Sequence, residues 1–137
     1  MPGLKTYKCE LEVRGYELDR YRHVNHAVYV NYFEHARWKL LEEEKITNER
    51  FQGWGFWPVV HKIEVEYVTP AFQGDAVSIT TAVAELSRVR IVFNQEIIRG
   101  KQTVARARVT AVMVNEKGKP GRIPDEMIEL WKERNPA

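Results

Sequence analysis

The chain has 137 residues and carries 21 basic against 19 acidic side chains, a formal net charge of +2; the charges are interspersed, which argues against a nucleic-acid partner. Its length points to a single domain over residues 1–137, since domains cluster at about 100–150 residues. A lone cysteine, Cys9, excludes an internal disulfide; with no signal-peptide core in "MPGLKTYKCELEV" and no apolar run near the roughly 20 residues that span a bilayer, the expectation is a soluble cytoplasmic protein without a membrane partner.

Tyr7, Cys9, Leu11 and Val13 alternate with Lys8, Glu10, Glu12 and Arg14. That period of two predicts a strand with one buried face. A polar loop over residues 16–24 follows, with Asp19 inside it. A helix is predicted over residues 25–44, with Tyr29, Phe33, Ala36 and Leu40 as an apolar stripe widened by Val28, Tyr32 and Leu41. The breadth of the stripe implies cover on more than one side. Asn25 is suited to cap the helix start. A connector containing "QGWGFWP" then leads into strands. Val59, His61, Ile63, Val65 and Tyr67 form one face of the first of these. Pro70 and Gly74 break the ladder in "TPAFQGD". "AVSITTAVAEL" is the next strand, and "RVRIVFNQEII" follows with Val89, Ile91, Phe93 and Ile97 on one face. "TVARARVTAVMVN" sends Ala105, Ala107, Val109, Ala111 and Met113 inward and Arg106 and Arg108 outward. "DEMIELWKER" reads as a short final helix. Antiparallel strands beside one long helix define an α+β fold, with a curved antiparallel sheet wrapped around the helix.

Three stretches together carry a family resemblance: "VRGYELDRYRHVNHAVYVNYFEHAR", "EVEYVTPAFQGDAV" and "GKPGRIPDEM". In this order they resemble the hotdog-fold acyl-CoA thioesterases of the hydroxybenzoyl-CoA thioesterase-like group, over nearly the whole chain. The resemblance implies hydrolysis of an acyl-CoA thioester to the free acid and CoA. It places Asp19 at the family's catalytic aspartate and His26 where a helix-start N–H meets the thioester carbonyl, with Asn25 just before. It implies a homodimer or homotetramer and no cofactor. Arg22 departs from the pattern, since glycine is common there in relatives.

The chemistry fits those residue types. A helix start offers unpaired N–H groups and about half a positive charge, a ready stabiliser for the oxyanion formed when a thioester carbonyl is attacked. Asp19, just upstream, would serve as general base for water or as nucleophile. As a loop residue it could equally satisfy backbone N–H groups. Among the other histidines, His61 is expected to be a core or interface residue. His23 and His26 lack a ligand partner at a recognisable spacing, so no metal site is expected. Cys9 reads as a buried, inert thiol. Glu34 lies more than two turns inside the helix and reads as an ion-pair partner of Arg37 or Lys39. Arg88 and Arg90, with Arg106 and Arg108, are candidates to meet the CoA phosphates, or else line a solvated face. Two alternatives stand beside hydrolysis. One is a hydratase or dehydratase on acyl thioesters, whose longer motif is missing. The other is a non-catalytic acyl-CoA-binding module, which would bring a second domain.

Overall fold

A computed structural model describes residues 4–132. The elements in chain order are β1 (Thr6–Glu12), a single 3-10 turn (Gly15–Glu17), α1 (His26–Glu43), α2 (Asn48–Trp54), β2 (Trp57–Tyr67), β3 (Ala76–Leu86), β4 (Arg90–Arg99), β5 (Gln102–Val114), β6 (Pro120–Gly121) and α3 (Asp125–Trp131). The strands form one antiparallel sheet in the order β1-β3-β4-β5-β2. The short β6 pairs with Met113 and Val114 at the tip of β5. There it takes over from β4, whose first residue Arg90 lies opposite Val112.

α1 forms where the periodicity places it. The Asn25 side chain accepts the Ala27 N–H at 2.9 Å, and the helix buries Tyr29, Tyr32, Phe33, Ala36 and Leu40. These meet the inward residues of the sheet, among them Ile79, Ile97 and Val109, in one core. The five inward positions expected in β5 are all buried. A polar tie fixes the helix to the sheet. Gln95 on β4 is 3% exposed, and its Nε2 donates to the Phe33 carbonyl and to Thr81 Oγ1, both at 2.9 Å. Burying an amide costs stability unless its hydrogen bonds are made, so this tie also sets where α1 sits.

Register shifts at Val60/Lys62, Val83/Glu85 and Ile97/Ile98 bend the sheet around the helix. The first changes one expectation. His61 is the extra residue of that shift and is exposed, as are Val59, Val60 and Tyr67. It is not a core histidine. Among the described residues β2 pairs only with β5 and is an edge strand; of the face read there, Ile63 and Val65 pack partly buried against the core, whereas Val59, His61 and Tyr67 are exposed. Val89 is exposed too, in the turn ahead of β4. The connector contains α2, capped by Thr47, whose hydroxyl accepts from the Arg50 N–H at 3.2 Å, and ended by Gly55 at φ 78. The final helix ends at Trp131, one residue after which Lys132 is already extended and bridges to Leu4; residues 133–134 of the predicted helix lie outside the described residues. Gly121 is needed for close approach, since a Cβ there would lie 1.8 Å from the Phe56 ring. No helix among the described residues is long and apolar enough to cross a membrane.

Candidate active site

The loop between β1 and α1 is built on Glu17. This side chain is 8% exposed. Its Oε1 accepts from the Arg14 N–H at 2.8 Å and the Tyr32 hydroxyl at 2.7 Å, and its Oε2 accepts from the Arg14 guanidinium at 2.8 Å. Its carbonyl accepts from the Asn25 N–H at 3.0 Å. One residue therefore ties the loop to β1's end, to the middle of α1 and to the helix cap. Burial pushes the Glu17 carboxyl up, but its three donors outweigh burial and hold it below its ordinary value of 4.5. The stability this contributes is present above the ordinary value and is lost as pH falls through the folded value. Glu17→Gln is therefore expected to flatten the acid limb of the stability curve below pH 4.5, measured by urea unfolding at a series of pH values.

Two residues on, Asp19 forms a tight turn. Its Oδ1 accepts from the Tyr21 N–H at 2.8 Å and the His23 N–H at 3.2 Å. Its own N–H donates to the His23 carbonyl at 2.7 Å, and its carbonyl accepts from Arg22 at 3.0 Å. The turn-forming role and an available carboxylate thus coexist: the hydrogen bonds engage Oδ1, and among the described residues none engages Oδ2. Arg22 sits at φ 66, a left-handed conformation that favours glycine. Arginine adopts that conformation here, and its side chain is exposed.

The "TPAFQGD" turn holds the helix start in place from the other side. The Val24 N–H donates to the Ala71 carbonyl at 2.9 Å, and the Ala71 N–H donates to the Tyr29 hydroxyl at 3.1 Å. Tyr67, at the end of β2, donates its hydroxyl to the His26 carbonyl at 2.9 Å. Asp75 holds this turn rather than reaching the cleft. It accepts from the Phe72 N–H and from Arg99, both at 2.8 Å. Arg99 also reaches the Pro70 carbonyl at 2.9 Å.

These contacts bring Asp19, His26, Tyr29, Tyr67, Thr69 and Pro70 to one cleft of about 280 Å³ at the start of α1. The Asn25 and Val28 N–H groups have partners within the loop and cap, and Ala27 is capped by Asn25. The His26 N–H has no acceptor among the described residues. Asp19 and His26 both line this cleft, and a carboxylate oxygen and an unpaired helix-start N–H are groups that can bind and polarise a carbonyl. Asn25 is placed as the cap that orders this start. Asn25→Ala is expected to cost about 1 kcal/mol of stability, read from thermal melting.

Arg88 and Arg90 are not brought to this cleft within one chain. Tyr67 lies opposite Ala105 on β5, whereas Arg90 lies opposite Val112; seven residues at about 3.3 Å each separate the two ends by roughly 23 Å. Arg106 pairs with Glu66 and Glu96, and Arg108 with Glu85, on the outer face. Glu34 is exposed and forms no ion pair among the described residues; Lys39 pairs with Glu42 instead. Cys9 is half-buried, and burial pushes its thiol up, away from the reactive thiolate. His23 packs its ring edge against Phe72 at 5.3 Å. Glu17, Tyr67 and Thr69 did not stand out in the sequence. Only Glu17 lies near Asp19 in the chain, and nothing in its local pattern marks it as buried.

The match to known proteins agrees with this architecture. Residues 13–130 match the model of the thioesterase-like superfamily, and the chain belongs to that family. It is 33% identical over 119 residues to the long-chain acyl-CoA thioesterase FadM of Escherichia coli, a match covering 80% of this chain and 84% of that protein. It is 30% identical over 123 residues to the chloroplastic acyl-acyl carrier protein thioesterase ATL2 of Arabidopsis thaliana, covering 88% of this chain but only 65% of that one. Among solved structures, a hypothetical protein from Aquifex aeolicus superimposes with a TM-score of 0.85 at 29% identity, over 92% of this chain and 99% of that one. The curved sheet around α1 is the hotdog fold.

Proposed function

We propose that the chain hydrolyses acyl-CoA thioesters to the free acid and CoA, with Asp19 as the acid–base or nucleophilic group and the His26 N–H as the oxyanion donor. The observation that carries this reading is the pairing, on one cleft, of the unengaged Asp19 Oδ2 with the unpaired His26 N–H. The thioester carbonyl oxygen would accept from that N–H. As charge develops on it in the transition state, the interaction strengthens, and that difference accelerates the step. As general base, Asp19 takes a proton from water while the water oxygen bonds to the carbonyl carbon; collapse then breaks the C–S bond and the thiolate leaves with a proton. As nucleophile, Asp19 forms an anhydride that water opens. Label in the Asp19 carboxylate after a single turnover in ¹⁸O water would establish the second route, with water opening the anhydride at the Asp19 carbonyl.

The test of the activity is thiol release from a panel of acyl-CoA chain lengths, run beside the matching acyl carrier protein thioesters. Absence of thiol release from every member would overturn the reading. Loss of enoyl absorbance without thiol release would point instead to a hydratase.

The same proposal includes self-association. β2 is an 11-residue edge strand with Val59, Val60 and Tyr67 exposed along it. An unpaired edge of that length and apolarity is a template for a second copy. Two such edges pairing antiparallel about a two-fold axis would extend the sheet, giving a homodimer that sedimentation equilibrium would detect. A half-buried thiol with no disulfide partner fits a reducing, cytoplasmic compartment.

A further inference from the structure

The His26 N–H, free among the described residues, belongs to the peptide joining Asn25 to His26. Where it points depends on the peptide planes beside it. The carbonyl of its own peptide, on Asn25, accepts from the Val28 N–H at 2.9 Å. The next peptide is held at both ends. Its N–H, on Ala27, donates to Asn25 Oδ1 at 2.9 Å, and its carbonyl, on His26, accepts from the Tyr67 hydroxyl at 2.9 Å. Asn25 and Val28 belong to the cap and the first turn. Tyr67 comes from the end of β2, 41 residues away in sequence.

That outside anchor matters because a helix start is poorly held. Its first N–H groups have no partners in a preceding turn, and helix ends fray. A donor serves an oxyanion best when it is fixed before the charge develops, and a misplacement of about 1 Å can cost about a hundredfold in rate.

Tyr67 is itself firmly mounted. Its backbone lies opposite Ala105 on β5. Directly after it, the Val68 and Thr69 N–H groups both donate to the Val104 carbonyl, at 2.9 and 3.1 Å, and the Thr69 hydroxyl donates to the Thr103 carbonyl at 2.8 Å. The Tyr67 ring leans on Tyr29 with the ring centroids 5.5 Å apart, and the Tyr29 hydroxyl is held in turn by the Ala71 N–H. The sheet therefore sets where the Tyr67 hydroxyl sits. Burial does not compel its contact with the helix. Tyr67 is 49% exposed, so water could satisfy the hydroxyl, and one hydrogen bond at such a site adds little to stability.

We propose that Tyr67 is a positioning residue for the oxyanion donor: its hydroxyl, carried by the sheet, holds the His26 carbonyl and thereby sets the angle at which the His26 N–H meets the thioester carbonyl. It acts through the helix backbone. This rests on the reading of the His26 N–H as that donor, and the test below separates the two.

The measurement is the infrared carbonyl stretch of a bound thioester, which falls as a donor polarises the bond. The ligand is the acyl-CoA turned over fastest in the chain-length panel, carrying ¹³C at its thioester carbonyl. It is bound to the Asp19→Asn chain, in which hydrolysis is slow enough for spectra to be recorded. The frequency there is expected to be lower bound than free. Adding Tyr67→Phe, which removes one oxygen from a half-exposed ring, should return much of that shift. With Asp19 intact, Tyr67→Phe should lower kcat about tenfold and leave KM within about twofold, the pattern of an interaction realised in the transition state. Thr47→Ala, which removes the cap of α2, supplies a loss of stability from outside the cleft. It should lower the melting temperature and leave the carbonyl frequency where it was. A carbonyl shifted in the Asp19→Asn chain and shifted equally after Tyr67→Phe would overturn the proposal while leaving His26 as the donor. No shift in either chain would overturn the donor reading itself, and the positioning role with it.

Discussion

Asp19→Asn is expected to lower kcat by about 10²–10⁴ on any accepted thioester, the usual span for losing a positioned acid–base group. The substitution is well suited to test chemistry rather than folding. Asparagine keeps an oxygen at Oδ1, so the Tyr21 and His23 N–H groups retain their acceptor and the turn persists. What is lost is the negative charge and the basicity of Oδ2. Near-identical melting curves with a fall in kcat would locate the effect in the reaction. Unchanged turnover would remove Asp19 from the chemistry. A silent Glu34→Gln chain beside an active Asp19→Asn chain would move the reacting carboxylate into the helix.

Glu17→Ala is expected to be the most damaging change to the loop, lowering stability by about 2–4 kcal/mol. The Tyr32 hydroxyl and the Arg14 N–H would each lose an acceptor in a buried setting. The Arg14 guanidinium is half exposed, so its ion pair adds little to the sum. In a domain of this size the expected fall in melting temperature is roughly 6–15 °C. Because the same carboxylate lies two residues before Asp19, the folded fraction should also turn over substrate more slowly. A melt that moved by less than a degree would show that the loop does not depend on this clamp.

Much of the scaffold could be read in the sequence because it obeys simple periods. β5 alternates from Ala105 to Met113, and each residue expected to face inward there does so. α1 announces itself through a wide apolar stripe and through Asn25, which is its cap. The misreadings have local causes. α2 is seven residues long and ends in a Trp-Gly pair, too short to show a helical period and easily taken for a turn. His61 falls on a register shift, where strict alternation fails. β6 is two residues long and exists only because β5 outruns β4. In the candidate site, the nearness of Asp19 to His26 could be read because loop and helix start adjoin in sequence. Tyr67 and Thr69 reach the cleft from some forty residues away, and no local pattern marks such a juxtaposition. Arg88 and Arg90 were grouped with the substrate by charge and by an expected place on outward strand faces. Strand register, which is not written in charge, puts them at the far end of the sheet.

Gly121 fixes the path by which the chain leaves β6 for α3. The backbone there passes so close to Phe56 that a single methyl would collide with the ring. Met127 and Trp131, which follow on α3, are buried in the core, so a shift in the Phe56–Gly121 contact would reach the core through α3 and leave the hydrogen bonds of the Asp19 turn in place.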